Sequence, residues 1–333
     1  MSKQPTLVPD GVATVSGKAA QLRRLELEVT IRLDGLVRGE FLGLQPGPGS
    51  ETAGTRAYEV GDDARRIDWN VTARSLTTQV RTTDADRELN TWLVLDRSPS
   101  MDFGTALCEK RDLAFSAAAG FGFLTARHGN RFGALVAGGD RVTRVGPSSA
   151  ARASLMACLS QLYDATRRES PTGATTVATA LRELERSHAR RGQVVVISDF
   201  LDTDEWATAL RRVALRHQVV AAQVVDPREL ALPAVGITAF VDPETGRRLH
   251  VQTNSGALRQ RYEAAARERH ESIGRTVRAA GAEHLVLATD RDWLLEIVKF
   301  VAGRRSLRGR RTRGPGDHAR PHLAVVGTER SNP

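Results

Sequence analysis

An apolar run, Trp92-Leu93-Val94-Leu95, leads directly into Asp96-Arg97-Ser98-Pro99-Ser100. One carboxylate and two hydroxyls at alternate positions are three hard oxygen donors, the type that holds Mg²⁺ or another small divalent cation such as Mn²⁺ or Ca²⁺. Two distant segments offer more of the same. Thr172-Gly173-Ala174-Thr175-Thr176 precedes a helical stretch, with Gly173 permitting a tight approach and Thr175 supplying a hydroxyl. Asp199 follows the run Gln193-Val194-Val195-Val196-Ile197-Ser198. Two carboxylates and three hydroxyls around one point form an oxygen cage with a coordination place left over. Water or a carboxylate from another molecule would complete it.

Elements that could bring these groups together are legible as alternating strand and helix. Trp92–Leu95, Gln193–Ile197, Gln218–Val225 and His284–Ala288 are apolar runs of the kind that form strands covered on both faces. Between and after them, Lys110–Arg127, Ser149–Tyr163, Thr176–Ser187, Trp206–Arg216, Leu258–Ala280 and Trp293–Ala302 have helical spacing. Arg131–Ala137 and Arg141–Val145 flank Gly138-Gly139-Asp140 and predict a hairpin. Gly236–Val241 and Arg247–Gln252 bracket Asp242-Pro243-Glu244-Thr245-Gly246, a second hairpin inserted in the α/β rhythm. Strands alternating with helices of this length imply a mostly parallel sheet. In such sheets ligands gather outside the carboxyl ends of the strands, where the three donor segments should meet.

Before Thr91 the pattern differs. Residues 1–17 read as a flexible terminus, and Lys18–Leu36 as a helix. The rest of 18–88 is a Gly-, Pro- and Asp-rich segment with short strands at Glu40–Leu44 and Thr78–Arg87. Within it, Gly61-Asp62-Asp63-Ala64-Arg65-Arg66-Ile67-Asp68-Trp69 reads as a salt-bridged turn docking onto the α/β domain, with Trp69 as a buried anchor. The competing reading is an ion-binding turn. The α/β domain occupies 89–302. From Arg304 onward eight arginines face only Asp317 and Glu329, so 303–333 reads as a disordered basic tail.

The bulk numbers narrow the class. With 333 residues and 41% hydrophobic content the chain can bury a full core. Cys108 and Cys158 have no metal-type spacing, which suits a reducing, cytoplasmic location. No apolar run is long enough to span a bilayer. Most of the +9 net charge sits on the tail, which reads first as a solubilising end with no dedicated ligand; nucleic-acid binding through residues 304–333 is the lesser alternative.

The order Asp-x-Ser-x-Ser, then Gly-x-Thr, then Ser-Asp after a buried strand resembles the von Willebrand factor A domain with its metal-ion-dependent adhesion site. More narrowly, AYEVGDDARRIDWNVTAR (57–74), followed by the strand and DRSPSMDFGT, resembles the domain of unknown function 58 family, over roughly Leu22 to Val301. The resemblance implies a Rossmann-type α/β fold: a mostly parallel sheet flanked by helices, with a small β-rich N-terminal extension and a β-hairpin insertion. It implies metal ligation by Asp96, Ser98, Ser100, Thr175 and Asp199, a protein-binding rather than enzymatic role, and a MoxR-type AAA+ ATPase or that ATPase's client as partner. Two departures stand out. The loop is Gly-Ala-Thr where Gly-Gly-Thr is common, and Asp199 is followed by Phe200 where many A domains have glycine, leaving direct and water-mediated ligation by Asp199 both open.

Enzymatic alternatives are poorer. Ser98 lacks a Gly-x-Ser-x-Gly elbow, and there is no Gly-x-x-x-x-Gly-Lys-[Ser/Thr] loop for a nucleotide. A metal-assisted hydrolase using the same cation is the surviving competitor.

Overall fold

A computed structural model describes residues 20, 22–32, 55–59, 64, 67–75, 77–81, 90–126, 130–146, 151–167, 175–187, 191–202, 205–241 and 247–312. Its centre is a six-stranded sheet: β3 (Thr91–Asp96), β4 (Phe132–Ala137), β5 (Thr143–Val145), β6 (Gln193–Ser198), β7 (Gln218–Val225) and β10 (Glu283–Ala288). The spatial order is β10-β7-β6-β3-β4-β5, with every pairing parallel except β4 with β5. This is the mostly parallel α/β architecture expected.

Strand periodicity explains why both faces are covered. Leu93, Leu95, Val195, Ile197, Val220 and Ala222 point into one apolar layer, while Trp92, Val94, Val194, Val196, Val219 and Ala221 point into the other. The first layer is closed by α1 (residues 22–32), α3 (Lys110–Ala126), α4 (Arg152–Arg167) and α9 (Trp293–Thr312). The second is closed by α5 (Val177–Ser187), α6 (Glu205–Ala214) and the end of α8 (Gly256–Ala279). In α5 the buried positions Val177, Ala178, Ala180, Leu181 and Leu184 make one helical stripe. No described helix is long and apolar enough to cross a membrane.

The chain runs β3 to β4 to β5 on one side, then returns to place β6 on the other side of β3. The strand order therefore reverses between β3 and β6, and their carboxyl ends flank the crevice where open α/β sheets bind ligands.

Several boundaries differ from expectation. Residue 20 and residues 22–32 are helical, within the expected Lys18–Leu36 helix, whose remaining positions lie outside the described residues. The short strand β1 (Thr55–Ala57), not foreseen, pairs antiparallel with β2 (Gln79–Arg81), and 82–87 lie outside the described residues. So do Glu40–Leu44, residues 61–63, the 242–246 hairpin tip and 313–333. The short helix α7 (Pro227–Leu230) was also unforeseen; it is set by a capping box between Asp226 and Glu229. The inserted hairpin is present as β8 (Ile237–Val241) and β9 (Arg248–Gln252). The last helix continues ten residues beyond Ala302, since arginine and leucine are good helix formers.

Trp69 corrects the expectation of a buried anchor. Asp68 is buried and caps the short helix α2 (Trp69–Thr72), accepting from the amides of Asn70 and Val71. Starting the helix there turns Trp69 outward, and its side chain is 69% exposed rather than an anchor.

Candidate metal site at the carboxyl edge of the sheet

β3 delivers Asp96 to the edge with its side chain buried. The following turn is held from several directions. The Arg97 amide donates to the carbonyl of Ala137 at 2.7 Å. The buried Arg97 guanidinium donates through Nε to the Thr166 carbonyl at 2.7 Å and pairs with Asp102 at 2.7 Å. Pro99 starts a 3₁₀ turn (Pro99–Asp102), and Met101 is fully buried beneath it. The result is a fixed platform for the two serines, whose Oγ atoms lie 3.1 Å apart.

Both oxygens of Asp96 are engaged. Oδ1 accepts from the Ser98 amide at 2.8 Å, and Oδ2 accepts from Ser198 Oγ at 2.5 Å. Ser198 ends β6, next to Asp96 across the β3–β6 pairing, and its Oγ also accepts from the Phe200 amide at 2.8 Å. Burial pushes the Asp96 carboxyl up to about 7, and the neighbouring Asp199 carboxylate adds to the rise against the Ser198 and Ser98 hydrogen bonds.

Asp199 is at least as buried as Asp96 but has a partner of its own. Its Oδ2 accepts from Lys110 Nζ at 2.7 Å, and its Oδ1 accepts from the Leu201 amide at 3.1 Å. The same ammonium reaches Glu229 Oε1 at 2.5 Å. Lys110, at the start of α3, has no solvent exposure. Burial works to lower its pKa, but Asp199 and Glu229 outweigh that, and it lies above the ordinary lysine value. Glu229 is raised instead, because its own burial outweighs the pull of Lys110. Lys110 and its carboxylates form a charged group, because Lys110 Nζ has two carboxylates within hydrogen-bond reach.

Thr175 is anchored at the same edge. Its amide donates to the Gly139 carbonyl at 3.0 Å, just beyond the end of β4, and Thr176 follows as a cap, its Oγ1 accepting from the Thr179 amide. Residues 172–174 of this loop lie outside the described residues. Asp96, Ser98 and Ser100 are thus brought together directly. Asp199 stands at the adjacent strand end, and Thr175 is tied to the strand on the other side of β3.

Sequence reasoning missed three residues. Ser198 stands beside Asp199 at a strand end, and nothing local marks its hydroxyl as a partner of Asp96. Lys110 falls in a helical stretch, although a lysine opening an otherwise Ala- and Phe-rich helix is a signal in itself. Asp226, fully buried, accepts from the Thr105 amide and hydroxyl, the Thr289 hydroxyl and the Arg228 amide, fixing the loops around the site.

The donor set suits a hard cation. The separation of the serine oxygens is close to the roughly 3 Å between neighbouring ligands on an octahedral Mg²⁺. Beside Asp199, a groove of about 360 Å³ runs between α7 and α8, lined among others by Leu201, Val225, Glu229, Tyr262 and Ile273.

Comparison with known proteins gives close sequence relatives. The uncharacterized protein Rv1480 of Mycobacterium tuberculosis is 49% identical over 290 residues, covering 86% of this chain and 90% of that protein. Among solved structures, the conserved hypothetical protein BatB from Bacteroides thetaiotaomicron is 17% identical with a TM-score of 0.40, covering 64% of this chain and 99% of that one. A von Willebrand factor type A protein from Catenulispora acidiphila is 18% identical with a TM-score of 0.30, covering 41% of this chain and 33% of the other. With a family model matched across residues 54–272, the chain belongs to the family described as protein of unknown function DUF58.

Proposed function

We propose that this protein is a non-enzymatic interaction module that binds a partner protein through a divalent cation held at the carboxyl edge of its sheet. Asp96, Ser98 and Ser100 would hold the ion, with Thr175 and Asp199 at the rim. The observation that carries this reading is the fixed 3.1 Å pair of serine hydroxyls beside a buried carboxylate at the strand-order reversal. The ion would supply a coordination place for a carboxylate of the partner.

Exposed apolar side chains surround that edge. Phe103 and Leu107 follow the 3₁₀ turn, Leu201 lies two positions after Asp199, and Tyr262 lines the groove. Apolar groups clustered about a polar centre are the usual make-up of a protein-binding surface. Cys108 and Cys158 carry free thiols, whose pKa values burial pushes up to about 12 and about 11. That is consistent with a reducing, cytoplasmic setting. The family resemblance suggests a MoxR-type AAA+ ATPase, or the client such an ATPase remodels, as the partner.

A pulldown from native lysate in Mg²⁺ and in EDTA, analysed by mass spectrometry, tests the reading. Recovery of an AAA+ ATPase in Mg²⁺ only, lost on Asp96→Ala with the fold intact, supports it. Equal recovery in EDTA, or by the Asp96→Ala protein, sinks the metal bridge.

A further inference from the structure

Resting on the metal reading above, we propose that Lys110 is a positioning residue that occupies Asp199 as an internal counter-cation and keeps it out of the metal's ligand set.

The argument is geometric. Asp199 Oδ2 faces the Lys110 ammonium at 2.7 Å, and Oδ1 takes the Leu201 amide. The ammonium has nowhere to go, because Lys110 is fully buried and is gripped from a third element by Glu229. Glu229 is fixed in turn: its Oε2 accepts from the Asp226 amide at 3.1 Å, and Asp226 is held by Thr105 and Thr289. The ammonium therefore sits in a cradle joining α3, the end of β6 and α7. A divalent ion drawing on Asp199 would have to share the carboxylate with this fixed positive charge, at close range and away from water. Among the described residues Asp96 has no such cationic partner, since its contacts are a hydroxyl and an amide. The ion would then rest on Asp96, Ser98 and Ser100, with Asp199 contributing only through the net single negative charge of the Lys110–Asp199–Glu229 group.

The test frees Asp199 without changing that net charge. In Lys110→Met/Glu229→Gln one positive and one negative charge leave together, and the carboxamide introduced at position 229 can still accept from the Asp226 amide. Mg²⁺ affinity measured by calorimetry, and the Mn²⁺ electron paramagnetic resonance signal, are compared with the wild type, with thermal melts confirming folding. The double variant should bind Mg²⁺ roughly tenfold more tightly or better, as expected when a carboxylate is released from a competing cation. Asp199→Asn in the wild-type background leaves the Lys110–Glu229 pair intact and removes only a background charge, so it should weaken Mg²⁺ binding by less than about tenfold, with Mg²⁺ still bound.

The outcomes separate the two ideas. A double variant no tighter than a wild type that does bind Mg²⁺ overturns the role of Lys110 and leaves the metal site standing. So does loss of binding on Asp199→Asn alone. Binding by the double variant but not by the wild type supports the role of Lys110 and removes the metal bridge from the native protein. Binding by neither overturns both.

Discussion

Lys110 Nζ lies 2.7 Å from Asp199 Oδ2 with the lysine wholly removed from solvent, so an ammonium is built into the candidate site. A buried ion pair is costly to assemble, and its loss exposes that cost, because the abandoned partner stays charged in a poor solvent. Lys110→Met should therefore destabilise the protein by about 3–5 kcal/mol. Lys110→Met/Asp199→Asn, which removes both members of the buried pair, should lose distinctly less. Urea unfolding of the two variants measures the difference. A Lys110→Met protein as stable as the wild type would mean that the pair contributes nothing to the fold.

The raised pKa of Asp96 predicts an unusual pH dependence. Its folded value of about 7 lies above the unfolded carboxylate range, so between these limits the folded state binds more protons than the unfolded one. The metal-free protein should then lose stability as pH rises through this window. His284 works in the opposite sense: burial, helped by Arg278 and His270, lowers its pKa to about 4, so stability falls as pH drops from the ordinary histidine range. Comparing Asp96→Asn with the wild type isolates the first effect. The variant should melt higher by a few degrees, roughly 2–6 °C, at pH 8 in EDTA, and the advantage should vanish near pH 4. Melting curves that run parallel from pH 4 to pH 8 would show that Asp96 titrates normally.

Most of the sheet was legible because parallel strands buried on both faces carry an unmistakable signature. Val194, Val195, Val196 and Ile197 can hardly be anything but a central strand. That Asp96 and the β6 end share one edge was also legible, since parallel strands bring their carboxyl ends to the same side; that β3 and β6 are neighbours was not. What the linear pattern could not show were contacts between side chains far apart in sequence. Lys110 lies 89 positions from Asp199 and 119 from Glu229. Nothing in their local patterns requires them to meet. Trp69 misled for a different reason: an aromatic after a charged run suggests burial, but the cap made by Asp68 decides which way the helix presents it.

Ser198 sits between Asp96 and the Phe200 amide, and its removal should be felt at both. Ser198→Ala deletes the 2.5 Å donor to Asp96 and orphans the buried amide of Phe200. The stability loss should be about 1–3 kcal/mol. Because the Ser198 hydroxyl lowers the Asp96 pKa, its loss should also move the Asp96 titration above its wild-type midpoint. A carboxyl ¹³C titration of both proteins measures that shift. A midpoint that stays in place would show that the hydroxyl does not hold the carboxylate.

Phe200, the position after Asp199, carries a left-handed backbone, φ 56°. An L side chain with a β-carbon is strained there by about 1–2 kcal/mol. The strain persists because Phe200 is 4% exposed and its ring packs on Trp206 with centroids 4.9 Å apart. Truncating the ring should cost about 3–5 kcal/mol in lost packing. Alanine keeps the β-carbon and hence the strain, whereas glycine loses both. Phe200→Gly should therefore be more stable than Phe200→Ala by about 1 kcal/mol, reversing the order usual at positions without a left-handed backbone. Denaturant unfolding of the two variants decides the matter. If Phe200→Ala proves the more stable, the turn after Asp199 relaxes out of the left-handed region once the ring is gone, and the ring alone holds it there.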